Sequence, residues 1–332
     1  MSQIFPVTDS VLSANGLISE VMSRYNIGVV TECRFLHRGV NDTYRVSADS
    51  GKFILRVYRK KWRTRSDIHF ELDALLHLHN SEVPVSIPVM RNDGELIGAI
   101  QAPEGSRFVV LFTHAEGVEP AYDGDGTRDT NLYARAVARI HAATDDFKTT
   151  HQRYSLDFEH LLAKPLQSME PFLSHRPKDW DYVTGLAHRL RSLFSDLPLA
   201  ALETGFCHGD LHGWNAHINQ NSKLTVFDFD CCGFGWHSYD LAVFYWGARI
   251  RGKHEERWPS FLCAYQEERQ LADVDIQAIP FFVAIRHFWL LGLLTSSTDF
   301  CGSGWLNDKY LDGSLKFFRD WEADHIGGSD EG

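Results

Sequence analysis

The sequence predicts an α+β chain of two lobes, β-rich over residues 1–114 and mainly helical over residues 129–332, with a linker region at 115–128. Runs rich in Val, Ile, Phe, Tyr and Thr crowd the first hundred residues, as strands require. From Ala115 to Arg128, Gly, Pro and Asp displace the residues that pack, and beyond Thr130 apolar residues recur at helical spacing. A length of 332 residues is more than one small core serves and suits two lobes.

Taken in order, Gly28–His37, Val40–Ala48 and Lys52–Tyr58 read as strands, the last two joined by the turn Ala48-Asp49-Ser50-Gly51. A helix follows from about Thr64 to Asn80, capped by Thr64 or Ser66, with Ile68, Leu72, Leu75, Leu76 and His79 on one face. Val83-Pro84 and Ile87-Pro88 end it. Leu96–Ile100 and Arg107–His114 complete the strands. The second lobe is predicted to hold helices at Leu132–Ala143, Phe158–Phe172, Tyr182–Phe194, Ser238–Ile250, Glu255–Arg269, Ile276–Thr295 and Leu306–Glu322. One strand-like island interrupts them, from Gly205 to Phe229.

Bulk properties exclude several classes. Apolar residues make up 44% and charged residues 23%, and the formal net charge is 33 − 44 = −11. Nucleic-acid binding needs clustered Lys and Arg and finds no support in that balance. Six scattered cysteines offer no C-x-x-C pair, and Cys231–Cys232 are adjacent, so neither a zinc ribbon nor a disulfide framework is expected. The first ten residues lack the blocks of a signal peptide, and the apolar stretch Pro280–Thr295 is broken by Arg286 and His287 and too short to span a bilayer. A cytoplasmic chain without membrane partners is the expectation.

Chemistry concentrates in Cys207-His208-Gly209-Asp210-Leu211-His212-Gly213-Trp214-Asn215 and Val226-Phe227-Asp228-Phe229-Asp230. Ala216–Asn219 and Lys223–Phe227 can pair as a hairpin through Gln220-Asn221-Ser222, which returns Asp228 toward Asn215 and Asp210. Phosphoryl transfer from ATP needs such a set: a carboxylate for the acceptor hydroxyl, and hard oxygen ligands for Mg²⁺ on the β and γ phosphates. Protein kinases place Asp and Asn five positions apart in the catalytic loop, with a metal-binding aspartate downstream. Asp210 and Asn215 keep that spacing, Asp228 follows, and Gly209 stands where H-R-D has Arg.

The H-G-D-L-H-G-W-N and D-F-D segments resemble the signatures of aminoglycoside phosphotransferases, choline kinases and bacterial stress-response kinases, which share a protein-kinase-like fold. The likeness runs through RGVNDTYRV (38–46), which looks like the family's first hairpin over the nucleotide, and through FILRVYRKKW onward (53–89). It extends to Val137-Ala138-Arg139-Ile140-His141 and Tyr239-Asp240-Leu241-Ala242. The resemblance implies ATP and Mg²⁺ as cofactors, with MgATP between a nucleotide-binding first lobe and a catalytic second lobe. Asp210 would be the base, or the residue orienting the acceptor hydroxyl. Asn215 and Asp228 would hold magnesium, while Asp230 would assist the metal or face substrate. Arg56 stands where many relatives place a phosphate-gripping lysine, and Glu71 where its helix partner lies. No G-x-G-x-x-G is present, so Gly39, Asn41, Asp42 and Thr43 would form the phosphate lid.

Other readings exist for these residues. His208 is read as a loop brace, Asp240 as a cap or loop anchor, and His212 and Trp214 as packing. The aromatics Phe281, Phe282, Phe288, Trp289, Trp305, Phe317, Phe318 and Trp321 are read as mostly core. Around Asp123-Gly124-Asp125 the Gly and terminal Glu of a calcium loop do not fall at the right places, and the segment is read as a loop. Three other functions compete. Asp210-Leu211-His212-Gly213 resembles the D-x-H-G of metallophosphatases, but their later metal motifs do not follow. Arg56 and the absent glycine motif raise a pseudokinase acting as a binding module. Protein Ser/Thr side chains are a third acceptor class, although the interval from Asp228 to Tyr239 is short for a peptide-docking segment. A small-molecule hydroxyl, on an antibiotic such as an aminoglycoside or on an amino-alcohol or sugar-like metabolite, is the expected acceptor.

Overall fold

The computed structural model describes residues 5–121 and 126–326, so Asp123-Gly124-Asp125 lies outside them. The chain forms two compact units. One holds Met1–Glu119, Asp146–Arg153 and Ala216–Asp230; the other holds Pro120–Asp145, Tyr154–Asn215 and Cys231–Gly332. The α+β division holds, with the sheet in the N-terminal region and helices dominating the C-terminal part.

The first unit is a five-stranded antiparallel sheet of order β1-β2-β3-β5-β4, from Val30–Arg38, Asp42–Ala48, Gly51–Val57, Gly105–Thr113 and Gly98–Ala102 respectively. Period-two alternation buries Tyr44, Val46, Phe53 and Leu55 on one face, where Val109 and Leu111 join them. Leu17, Val21 and Met22 close that core from a short helix, α1 (Ala14–Glu20), and its following turn. That helix was not expected. Seven residues including Asn15 and Gly16 give little helical periodicity, and tertiary packing is what stabilises so short a segment.

α2 (Arg65–Asn80) starts at Thr64 with a capping box: the Thr64 hydroxyl accepts from Asp67 N–H, and Asp67 accepts from Thr64 N–H at 2.8 Å. Its buried stripe is Ile68, Glu71, Leu72, Leu75 and Leu78, not the expected set, for Leu76 is half-buried and His79 exposed. β8 (Ala216–Ile218) and β9 (Leu224–Val226) form the expected hairpin, with Ala216 opposite Val226. The expected boundary at 115–128 would put this hairpin with the helices. It belongs to the first unit because Val226 exchanges backbone bonds with Pro84 and Ser86 (3.0 and 2.9 Å), and Ile218 does so with Val118.

The second unit contains α3 (Thr127–Ala143), α4 (Lys164–Leu173), α5 (Pro177–Ser195), α6 (His237–Ile250), α7 (His254–Glu268), α8 (Asp273–Ser296), α9 (Thr298–Cys301) and α10 (Asp308–His325). The expected helix over Phe158–Phe172 is a π-turn at Glu159–Ala163 leading into α4. α8 is apolar on nearly all sides and packs against α6 and α4, as such a helix must. With 24 residues it is longer than expected, and long and apolar enough to cross a membrane, yet it is mostly buried within the fold. Phe282, Phe288, Trp289, Phe318 and Trp321 are core, as read from sequence. A small sheet of order β6-β10-β7, from Ser155–Leu156, Gly233–Trp236 and Thr204–Cys207, supports the chemistry-bearing loop. All six cysteines are free thiols.

Candidate active site

In the second unit, β7 delivers the chain into the loop 208–215. Asp240, in the first turn of α6, is fully buried and holds this loop by its backbone. Its Oδ2 accepts from His208 N–H and its Oδ1 from Gly209 N–H, both at 2.7 Å. His141 of α3 stands 3.1 Å from Asp240 Oδ2 through Nε2 and 2.8 Å from the Tyr265 hydroxyl through Nδ1. Burial pushes His141 well below the ordinary imidazole range. A neutral ring donating from Nε2 to Asp240 and accepting from Tyr265 satisfies all three groups. The anchor role read for Asp240 is what the geometry displays.

Gly209 lies at φ +81°, and a Cβ there would stand 2.3 Å from the Cys231 carbonyl oxygen. Backbone packing therefore demands glycine where protein kinases carry Arg. Gly209→Ala is expected to destabilise the protein by more than the ~1–2 kcal/mol of a left-handed non-glycine residue and to lower turnover with it. Urea denaturation alongside steady-state rates checks this; unchanged values in both would contradict the assigned packing.

The loop places Asp210 with Asn215. Asn215 Nδ2 donates to the Asp210 backbone oxygen at 3.0 Å and to Oδ2 at 3.2 Å. His212 Nε2 lies 3.5 Å from Oδ2, and Arg286 of α8 binds Oδ1 through Nη2. Burial alone would raise the Asp210 pKa; His212 and Arg286 outweigh it and hold the carboxyl well below the usual range, so Asp210 is ionised at neutral pH. Arg286 was not picked out as a site residue. The signal available was an arginine inside an apolar run, which needs an anionic partner when buried.

In the first unit, β3, α2 and the exit of the β8–β9 hairpin converge. Arg56 Nη1 donates to Glu71 Oε1 at 2.7 Å and to the Tyr58 hydroxyl at 3.1 Å, while Nη2 donates to Asp228 Oδ1 at 2.8 Å. Arg56 and Glu71 are buried, whereas the Asp228 side chain is 49% exposed. Asp228 has φ +62°, a conformation aspartate tolerates better than most residues and one that tends to mark functional sites. The expected Arg56–Glu71 pairing is present, and the guanidinium spans two carboxylates.

Asp230 is buried and fully engaged. Its carboxylate accepts from Trp62 Nε1 at 2.7 Å, Arg63 Nε at 3.0 Å and Asn41 Nδ2 at 3.1 Å, and its backbone oxygen from Arg63 and Arg153. Burial would raise its pKa, but Arg63, Arg56 and Arg153 bring it to about 2. Asn41 is consumed by the same brace, since its Oδ1 accepts from Arg59 N–H at 3.2 Å. Asp42 is likewise buried, paired with Arg38 and Arg107. Gly39 lies exposed in the β1–β2 turn, bonded to the Asn41 carbonyl, and Thr43 sits opposite Arg56 in the β2–β3 register.

Each unit retains an oxygen donor. In the second unit Asn215 spends Nδ2 on Asp210 and has Oδ1 left to accept; in the first, Asp228 keeps an oxygen beyond its bond to Arg56. Such oxygens suit a hard divalent cation.

A family model described as the phosphotransferase enzyme family (APH) matches residues 32–273, a span that contains every one of these groups except Arg286. The chain belongs to that family. An uncharacterized protein of Deinococcus radiodurans is 37% identical over 325 residues, 97% of this chain and 93% of that one. Amicoumacin kinase of Bacillus subtilis is 25% identical over 298 residues, 85% of each chain. Among solved structures, a microcompartment-associated aminopropanol kinase superposes with a TM-score of 0.73 at 24% identity, covering 93% of this chain and 95% of that one. The fold is thus kinase-like as well as α+β, and the phosphotransferase family is a family of enzymes with hydroxyl acceptors.

Proposed function

We propose that this phosphotransferase moves the γ-phosphoryl group of ATP to a hydroxyl of a small molecule, with Asp210 as the acceptor-facing carboxylate. The supporting observation is the Asp210–Asn215 pair, five residues apart and hydrogen-bonded in a loop hung on Asp240. Asp210 Oδ2 takes the hydrogen bond of the acceptor hydroxyl and aims its oxygen at the phosphorus. A low-pKa carboxylate acts here mainly by orientation, which suits a loose transition state in which the nucleophile's proton leaves late. Asn215 Oδ1 and Asp228 would hold magnesium, whose charge, when bound, offsets that of the phosphates. Arg56, fixed by Glu71, supplies a permanent cation to the α and β phosphates. Gly39 and Thr43 contribute the lid, and Asp230 and Asn41 brace it rather than touching metal.

The small-molecule acceptor is favoured over a protein side chain by the chain after the metal aspartate. Gly233–Trp236 is a strand paired on both sides, with Gly233 opposite Cys207 and Phe234 opposite Ser155, and α6 begins at His237. That leaves no loop for docking a peptide there. Amicoumacin kinase, similar over most of both chains, points the same way. A coupled ADP-release screen over amino alcohols, hydroxylated antibiotics including aminoglycosides, sugars and a generic protein acceptor tests this. A small molecule is expected to raise ADP release above the acceptor-free rate. Stimulation by the protein acceptor alone, or by none with nucleotide bound, would overturn it.

A further inference from the structure

We infer that Arg286 is a positioning residue for phosphoryl transfer, fixing one oxygen of Asp210 so that the other meets the acceptor hydroxyl; this rests on the Asp210 role proposed above. From Phe281 to Leu294, every residue of α8 except Arg286 and His287 is apolar or glycine. Arg286 is 2% exposed. An arginine in that setting costs several kcal/mol in desolvation unless its donors and charge are met. The candidate catalytic loop meets its charge and two of its three nitrogens: Nη2 binds Asp210 Oδ1, and Nη1 donates to the Gly209 carbonyl at 3.3 Å. The guanidinium lies over the Trp289 ring at 4.4 Å and near the Trp246 ring at 5.2 Å, within cation–π range of both.

The two carboxylate oxygens are thereby made unequal. Oδ1 receives a charge-assisted bond from a buried cation that does not titrate, whereas Oδ2 has longer contacts from Asn215 and His212, at 3.2 and 3.5 Å. The loop can supply no cation at position 209, where the Cys231 carbonyl excludes any side chain. The charge comes instead from α8, 76 residues later in the chain.

The test uses full-length protein, with ADP release from MgATP measured both with water as acceptor and with the amino-alcohol panel. Affinity for the non-hydrolysable analogue AMP-PNP with magnesium is measured alongside. Arg286→Met is expected to lose kcat on the scale of the roughly 10²–10⁴-fold assigned to Asp210, with AMP-PNP affinity unchanged. Arg286→Met in an Asp210→Asn background should cost little more than Asp210→Asn alone, because one residue acts through the other. Guanidinium ion at millimolar concentration should restore part of the turnover of Arg286→Ala. If Arg286→Met does not fold, Arg286→Lys and the double variant, which leaves no unpaired buried charge, carry the same comparison. Wild-type kcat in a folded Arg286 variant, or losses that multiply in the double variant, would overturn the assignment. A wild type without transfer to water or to any small molecule of the ADP-release screen would instead remove the proposed function itself.

Discussion

Asp210→Asn is expected to lose roughly 10²–10⁴-fold in kcat while binding magnesium-nucleotide as tightly as the wild type. The amide keeps nearly the shape of the carboxylate, so the Asp240-anchored loop should persist: its main holds are backbone bonds to His208 and Gly209. What disappears is the charge that faces Arg286 and the acceptor that can take a hydroxyl proton. The wild-type carboxyl is held well below its usual range, so its ionisation should not limit rates at neutral or mildly acidic pH. Steady-state kinetics with calorimetric titration of the nucleotide separates the two effects. Equal falls in kcat and nucleotide affinity would mean that the loop itself had collapsed.

Asp228→Ala should behave in the opposite way, weakening nucleotide binding in magnesium and leaving binding in chelator almost unchanged. The loss should reach or exceed the ~10–100-fold that removal of even an outer-sphere partner of a metal costs. Without Asp228, Arg56 keeps Glu71 and Tyr58 as partners, so the first unit should remain folded. Asp230→Asn offers the contrast. Its contacts are to Trp62, Arg63 and Asn41, so its effect should appear in stability more than in the dependence of binding on magnesium. Isothermal calorimetry with and without magnesium reads both. An Asp228→Ala protein with undiminished magnesium dependence would remove Asp228 from the metal site.

Local pattern made much of this molecule readable. The strands of the first unit announce themselves through β-branched and aromatic residues, and the start of α2 through two candidate caps, of which Thr64 is the one used. Asp210, Asn215 and Asp228 stand out because five-residue spacing followed by a hairpin is a local property of the chain. Side-chain commitments were less legible. Asp230 read as assisting the metal or facing substrate, but its partners Trp62 and Arg63 come from the β3–α2 loop some 170 residues earlier, a pairing no local pattern encodes. Asn41 was drawn toward the phosphate lid by its turn, whereas the same brace claims its amide. The strand Gly233–Trp236 escaped notice because its alternate positions are glycine. A Cβ at Gly235 would stand 2.7 Å from Leu156 Cβ, so close pairing removed the very side chains that signal a strand. Arg286 was visible as an oddity in an apolar run, but only the fold shows which carboxylate it serves.

The most direct measurement follows radiolabelled γ-phosphoryl from ATP into the acceptor found by the ADP-release screen, comparing wild type with Asp210→Asn at saturating magnesium-nucleotide. Label should pass to the acceptor hydroxyl in the wild type and remain near background in Asp210→Asn, with nucleotide bound equally by both. Equal label transfer by the two proteins would show that Asp210 does not face the acceptor.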